Sequence, residues 1–153
     1  MLYYQKNSEF FAQVAGGLET MAAEELQELG ARDVRTSTRG ITFRAELEDL
    51  YRINYRARLV TRILAPLLKF PCRTPEELYL GAKKVDWTRV FRMDQTFAVF
   101  ANVHRSQIDH GHFASLKVKD CVADMFRKRY KGRRPNVDAD DPDLWIGVHI
   151  LED

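Results

Sequence analysis

His110-Gly111-His112, with His104 and His149 elsewhere in the chain, is the pattern that comes nearest to a metal site, because imidazole nitrogens ligate transition metals. Two histidines one residue apart at a helix entrance have no cysteine or carboxylate at a recognised ligand spacing. The spacing therefore predicts exposed or capping histidines and no metal. Cys121 could act as a nucleophile only as a thiolate, and it falls on the apolar stripe of a predicted helix, where burial disfavours that form. Cys72 stands far from it, and neither belongs to a Cys-x-x-Cys pair, so both read as reduced thiols. Asp138, Asp140, Asp141 and Asp143 share the composition of a calcium loop but lack its central glycine and closing glutamate, and a solvated acidic turn is expected. Gly16-Gly17 lies between a strand and a helix without the Gly-x-Gly-x-x-Gly pattern or the Lys-Ser/Thr ending of a phosphate loop. No catalytic residue is assigned from these patterns.

Charge is more informative. Arg105, Lys117, Lys119, Arg127, Lys128, Arg129, Lys131, Arg133 and Arg134 are set against only Asp109, Asp120 and Asp124, whereas the chain after Arg134 carries acidic residues and no Lys or Arg. The net charge of +2 over 153 residues hides this swing. Clustered Lys and Arg attract polyanions. Part of the excess follows from the helix dipole, which favours cations at a C-terminus, but the dipole accounts for neither Arg133 and Arg134 beyond the helix nor Arg105 before it. Lys83 and Lys84 could join the same surface.

These residues must be positioned by elements, and the hydrophobic share of 45% is that of a globular protein. In the first half, apolar residues run from Phe10 to Ala15, and Leu18, Met21, Ala22, Leu26 and Leu29 then recur at helical spacing before Gly30. Val34 to Ser37 and Ile41 to Ala45 flank Thr38-Arg39-Gly40 as a hairpin. Leu47, Leu50, Tyr51, Asn54 and Ala57 return to helical spacing, and Thr61 to Phe70 reads as a strand containing Pro66. Proline removes a ladder donor, which places this strand at a sheet edge. The order is βαββαβ, the ferredoxin-like split unit.

After a joint at Pro71 to Thr74, Thr74-Pro75-Glu76-Glu77 is a capping box with proline in the first helical position. That helix runs to about Lys83, and a short helical piece follows near Trp87 to Phe91. A strand from Thr96 to His104, a long helix from Phe113 to Tyr130 ended by Gly132, and a strand from Leu144 to Leu151 complete the second half. Ala114, Val118, Cys121, Val122, Met125 and Phe126 form the inner stripe of the long helix. The chain divides at 1–71 and 72–153. It has no run of about 18 apolar residues and no signal-peptide layout at its start, which predicts a soluble cytoplasmic protein that does not enter a membrane.

Several ordered segments carry a family resemblance. In the second half they are Ser106-Gln107-Ile108-Asp109-His110, Phe113-Ala114, Lys117-Val118-Lys119-Asp120, Phe126-Arg127, Arg134-Pro135, Val137-Asp138 and Pro142-Asp143-Leu144. In the first half they are Gly17-Leu18-Glu19, Glu24-Glu25-Leu26, Arg39-Gly40, Tyr51-Arg52 with Asn54, and Arg58-Leu59 to Arg62, and the Leu78-Tyr79 to Asp86-Trp87 stretch resembles the early THUMP segments. Over nearly the whole chain this resembles a THUMP domain preceded by a ferredoxin-like domain, as in bacterial guanine-N2 methyltransferases of large-subunit ribosomal RNA. The resemblance implies an α+β protein, a ferredoxin-like βαββαβ domain followed by an α/β THUMP domain. It also implies that the THUMP domain continues past Leu151 into a further strand, so that the chain is a fragment of a larger protein.

Functionally, the resemblance implies an RNA-binding module that docks structured RNA, ribosomal RNA before transfer RNA, for a covalently linked methyltransferase domain. S-adenosylmethionine would bind that domain. The glycine-rich loop and the Asn-Pro-Pro-Tyr or Asp-Pro-Pro-Tyr motif that catalysis needs are not in this sequence. The expected RNA contacts are Arg105, His110, Lys117, Lys119, Arg127, Lys128, Lys131, Arg133 and Arg134, with Lys119 and Asp120 also able to pair structurally. Two alternatives stay open: the docking module of an enzyme that methylates or thiolates transfer RNA, and a ferredoxin-like protein-interaction domain that recruits a partner by strand addition.

Overall fold

The computed structural model describes residues 1–104, 106–108 and 110–151. The chain forms two compact units, 1–69 and 70–153.

The first unit begins with a short helix α1 (Tyr3–Asn7), followed by β1 (Glu9–Val14), α2 (Glu19–Glu28), β2 (Arg32–Ser37), β3 (Gly40–Arg44), α3 (Leu47–Arg56) and β4 (Val60–Leu64). The four strands form an antiparallel sheet in the order β2-β3-β1-β4. This is the predicted ferredoxin-like order, with β4 at an edge. Alternation decides which face is covered: Phe10, Ala12 and Val14 of β1 and Ile41 and Phe43 of β3 point to one side and are buried with Ala22 and Leu26 of α2 and Ile53 of α3. Gly30 ends α2 as expected. Its φ of 106° lets its amide reach the Gln27 carbonyl while the Ala31 amide reaches that of Leu26.

Two features of this unit differ from the sequence reading. The strand expected over Thr61 to Phe70 stops at Leu64, and the helix α1 has no counterpart in that reading. The two differences share a cause. Once Pro66 interrupts the ladder, the carbonyls of Pro66 and Leu67 accept from the amides of Tyr4 and Tyr3, so the segment after β4 anchors the first turn of α1. Glu9, at the start of β1, is 4% exposed and accepts from Lys69 Nζ, Arg35 Nη2 and Tyr3 Oη. Burial works against its charge, but those hydrogen bonds and the nearby cations outweigh it and hold its carboxyl below the ordinary value of 4.5.

The second unit contains α4 (Pro75–Ala82), α5 (Trp87–Val90), β5 (Phe97–His104), α6 (Gly111–Arg129) and β6 (Leu144–Leu151). The capping box forms as predicted: Thr74 Oγ1 accepts from the Glu77 amide, and the Glu77 carboxylate accepts from the amides of Arg73 and Thr74. β5 and β6 pair in parallel from Phe97 opposite Leu144 to His104 opposite Leu151. A parallel pair needs a crossover, and α6 is that crossover. It starts two residues earlier than the apolar periodicity suggests, at Gly111, and buries Ala114, Val118, Cys121, Val122, Ala123 and Phe126. Pro135, fully buried, opens the return to β6, with Phe97 accepting from the Asp138 amide and donating to the Asn136 carbonyl.

Candidate nucleic-acid interface

The cations of the second unit are arranged by α6. At about 1.5 Å per residue, its 19 residues span about 28 Å. The expected contact residues are thereby separated into groups along its length. His110 occupies the N-cap position and is exposed, as is His112. Arg105 lies outside the described residues. Lys117 is half-buried in mid-helix, its ammonium 5.3 Å from the centre of the Phe113 ring. Lys119, two residues on, projects on the other flank of the inner stripe and is also half-buried.

The remaining cations converge at the far end. Arg127, Lys128, Arg129, Lys131, Arg133 and Arg134 are all exposed. A chain reversal gathers them: Lys131 and Gly132 take φ of 51° and 86°, the Gly132 amide reaches the Arg127 carbonyl at 2.8 Å, and the Arg133 amide reaches that of Tyr130 at 3.1 Å. These bonds satisfy carbonyls that a helix end leaves open and fold the loop back over the last turn. Gly132 was legible as a stop signal, but the folding back of Arg133 and Arg134 beside the helix was not. Arg129, left out of the expected contacts, belongs to the same surface by position.

Acidic neighbours restrain two of these cations. Asp124 accepts from Arg127 Nη1 at 3.1 Å and from Tyr79 Oη of α4 at 3.0 Å. Burial and that carboxylate raise the Tyr79 pKa, so the phenol stays a donor. Asp86 is held below the ordinary carboxylate range first by the Thr88 hydroxyl and then, more weakly, by the charges of Arg89 and Arg129. Lys128, Lys131, Arg133 and Arg134 form no ion pair among the described residues, so their charge faces solvent.

The other chemical candidates are accounted for locally. Burial, with a smaller contribution from Asp124, pushes the Cys121 thiol up to about 11, which makes it a poor nucleophile at neutral pH. Asp138 accepts from the amides of Asp140 and Asp141, and Asp143 accepts from the amide and hydroxyl of Thr96, so the acidic loop is built from self-capped turns. No group of three or more His, Cys, Asp or Glu able to hold a metal exists among the described residues. At the Gly16-Gly17 turn, the Glu19 carboxylate accepts from the amides of Gly17 and Arg39, so those donors are already used within the chain. No helix among the described residues is long and apolar enough to cross a membrane.

Fold and surface together define an α+β protein in which an antiparallel ferredoxin-like unit precedes an α/β unit with a cationic helix end. The chain belongs to the THUMP domain family, which matches residues 72–153, while the RlmL ferredoxin-like domain matches residues 9–64. It is 42% identical to the ribosomal RNA large subunit methyltransferase K/L of Methylococcus capsulatus and 39% identical to that of Syntrophotalea carbinolica. Each match covers 95% of this chain and 20% of the relative, so the chain spans about a fifth of their length. The crystal structure of SMU.472 in complex with SAH shares the fold, with a TM-score of 0.78 at 23% identity over 95% of this chain and 39% of that one.

Proposed function

We propose that this chain docks structured RNA for a guanine-N2 methylation of large-subunit ribosomal RNA, in the cytoplasm, and that a covalently linked domain outside these 153 residues binds S-adenosylmethionine and performs the transfer. The exposed, unpaired cations that the Gly132 reversal gathers at the end of α6 carry this reading. Relatives named as ribosomal RNA methyltransferases, of which this chain spans a fifth, support it. Phosphates and 2′-hydroxyls are what a folded RNA presents most readily, and a cluster of Lys and Arg reads their arrangement without reading bases. Arg127, Lys128, Lys131, Arg133 and Arg134 form the primary contact, Arg129 joins them, and Lys117, Lys119 and His110 extend the path along α6. Arg105, which precedes α6 in the sequence, is included among the proposed contacts on its charge alone.

Replacing Lys128, Arg133 and Arg134 together by Glu tests this. All three are exposed, so the fold is expected to persist, and affinity for a ribosomal RNA fragment in filter binding is expected to fall at least tenfold. Unchanged affinity would show that RNA docks elsewhere. A transfer RNA titrated in parallel reports the preference, and tighter binding of transfer RNA would reassign the substrate.

A further inference from the structure

An open sheet ends in two edge strands, each with a row of unpaired backbone donors and acceptors, and the first unit treats its two edges differently. At β2, Asp33 takes a φ of 49°, the register with β3 shifts between Arg32 and Arg35, and Arg32 pairs with Glu46. A kinked, charged edge of that kind refuses a further strand. β4 ends the order on the other side, and its register with β1 is regular from Arg62 to Leu64. The Val14 amide donates to the Arg39 carbonyl at the head of β3, so alternation turns Phe11 and Gln13 toward β4, where they pair with Leu64 and Arg62. Ile63, between those two, therefore turns its amide and carbonyl away from the sheet. Among the described residues, no backbone bond outside the ladder engages Val60–Leu64.

Beside this edge lies a hollow of about 90 Å³, lined by Ile53, Asn54 and Ala57 of α3 and by Val60, Thr61 and Ile63 of β4. Asn54 donates from Nδ2 to the Leu50 carbonyl, and the Thr61 hydroxyl donates to the Gln13 carbonyl. The oxygens of both side chains are left as acceptors, which suits a hydroxyl donor. Charge selects further. From Leu50 to Pro75 the chain carries Arg52, Arg56, Arg58, Arg62, Lys69 and Arg73 and no Asp or Glu. Arg62 stands on β4 itself, on the face opposite to that of Ile63. We propose that β4 takes an acidic peptide as a fifth strand of this sheet: hydroxyl-bearing residues lie opposite Ile63 and enter the hollow, and the carboxylates that alternate with them meet Arg62. A phosphate could accept from the Ile63 amide but gives nothing to its carbonyl, whereas a strand satisfies both. The β4 of a second copy would bring another Arg62 and no carboxylate. This site is separate from the RNA-docking surface and does not rest on it.

The 153-residue chain, labelled with nitrogen-15, can be titrated with end-blocked peptides of five residues, the length of β4. Glutamate alternating with threonine is the first probe, the same peptide N-methylated on its threonines the second, and lysine alternating with threonine the third. The first is expected to shift the amide resonances of Thr61 to Leu64 saturably and to slow hydrogen exchange at Ile63. N-methylation removes the donors that face Ile63, and lysine reverses the charge, so each should bind roughly tenfold more weakly or worse. Arg62→Glu should weaken the acidic peptide and admit the lysine peptide, an exchange of preference that misfolding cannot produce. No saturable shift at β4 with the acidic peptide overturns the proposal. Equal binding of the N-methylated peptide does so too, because charge alone would then suffice. An RNA hairpin that shifts the same amides and displaces the peptide would make the occupant a nucleic acid. Shifts that grow with protein concentration in the absence of peptide would make it a second copy. The comparison of peptides on the parent protein uses no substitution, so the proposal stands or falls even if Arg62→Glu does not fold.

Discussion

Glu9 is the one charged side chain buried among the described residues, and it shows how a single carboxylate can tie distant segments together. Its partners come from α1 (Tyr3), β2 (Arg35) and the segment after β4 (Lys69). Its pKa is lowered in the folded state, so it binds fewer protons there than in the unfolded chain near its ordinary value of 4.5. Its contribution to stability is therefore present above that value and lost as pH falls through the folded one. Lys69 is shifted the opposite way, upward from 10.5, so its contribution is complete below that value and disappears only in strong base. Glu9→Gln should cost about 1–2 kcal/mol near neutral pH, less than a fully buried pair because Arg35 and Lys69 stay half in water. Thermal melts should show the difference from the parent shrinking below about pH 4, and a constant difference down to pH 2 would rule out this ionic role. None of this was legible beforehand, because Glu9 and Lys69 lie 60 residues apart and share no local pattern.

For the elements, the placement of α6 matters most. Gly111 opens the helix directly over β5, where an added Cβ would sit 2.8 Å from the Ala101 carbonyl oxygen. That oxygen belongs to a paired strand and cannot yield as a flexible side chain would. Gly111→Ala should therefore destabilise the second unit by about 1–3 kcal/mol, with the melting temperature falling by roughly 4–8 °C per kcal/mol. An unchanged melting temperature would mean that the helix start moves freely on the strand. The inner stripe of α6 and its stop at Gly132 were readable because 3.6-residue periodicity and a left-handed glycine are local signals. The helix start was not, since Gly111 and His112 carry no apolar signal and are held by contact with β5. The same distinction separates the correctly read capping box at Thr74 from α1, whose five residues are too few for a periodicity and are anchored by carbonyls more than sixty positions away.

At the scale of the molecule, a near-neutral chain conceals a cationic end next to an acidic return loop, and salt should expose it. With five phosphates neutralised by Arg127, Lys128, Lys131, Arg133 and Arg134, log affinity should fall with log salt at a slope between about −3.5 and −4.5, a loss of roughly 10²-fold between 50 and 200 mM. A slope near zero in a filter-binding series would mean that these cations meet no phosphate. The ferredoxin-like order of the first unit was recoverable from sequence because hairpin and helix signals alternate cleanly through Arg56. In the second unit the alternation of Leu144, Ile146, Val148 and Ile150 fits either strand direction, so the parallel pairing emerged only from the fold. The cations were visible as composition, but their division along a 28 Å helix depends on where each falls around and along it.

That parallel pair also sets a timetable. Thr96 and Asp143, which bond to each other just before the two strands, are 47 residues apart, whereas every strand of the first unit has its partners in place once Leu64 has been made. At about 5–20 residues per second, a ribosome leaves β5 without its partner for roughly 2 to 10 s. Throughout that interval the row of backbone donors and acceptors on β5 is an open template for another strand. Helix formation takes microseconds or less, so α6 can shield one face of β5 long before β6 arrives to close its edge.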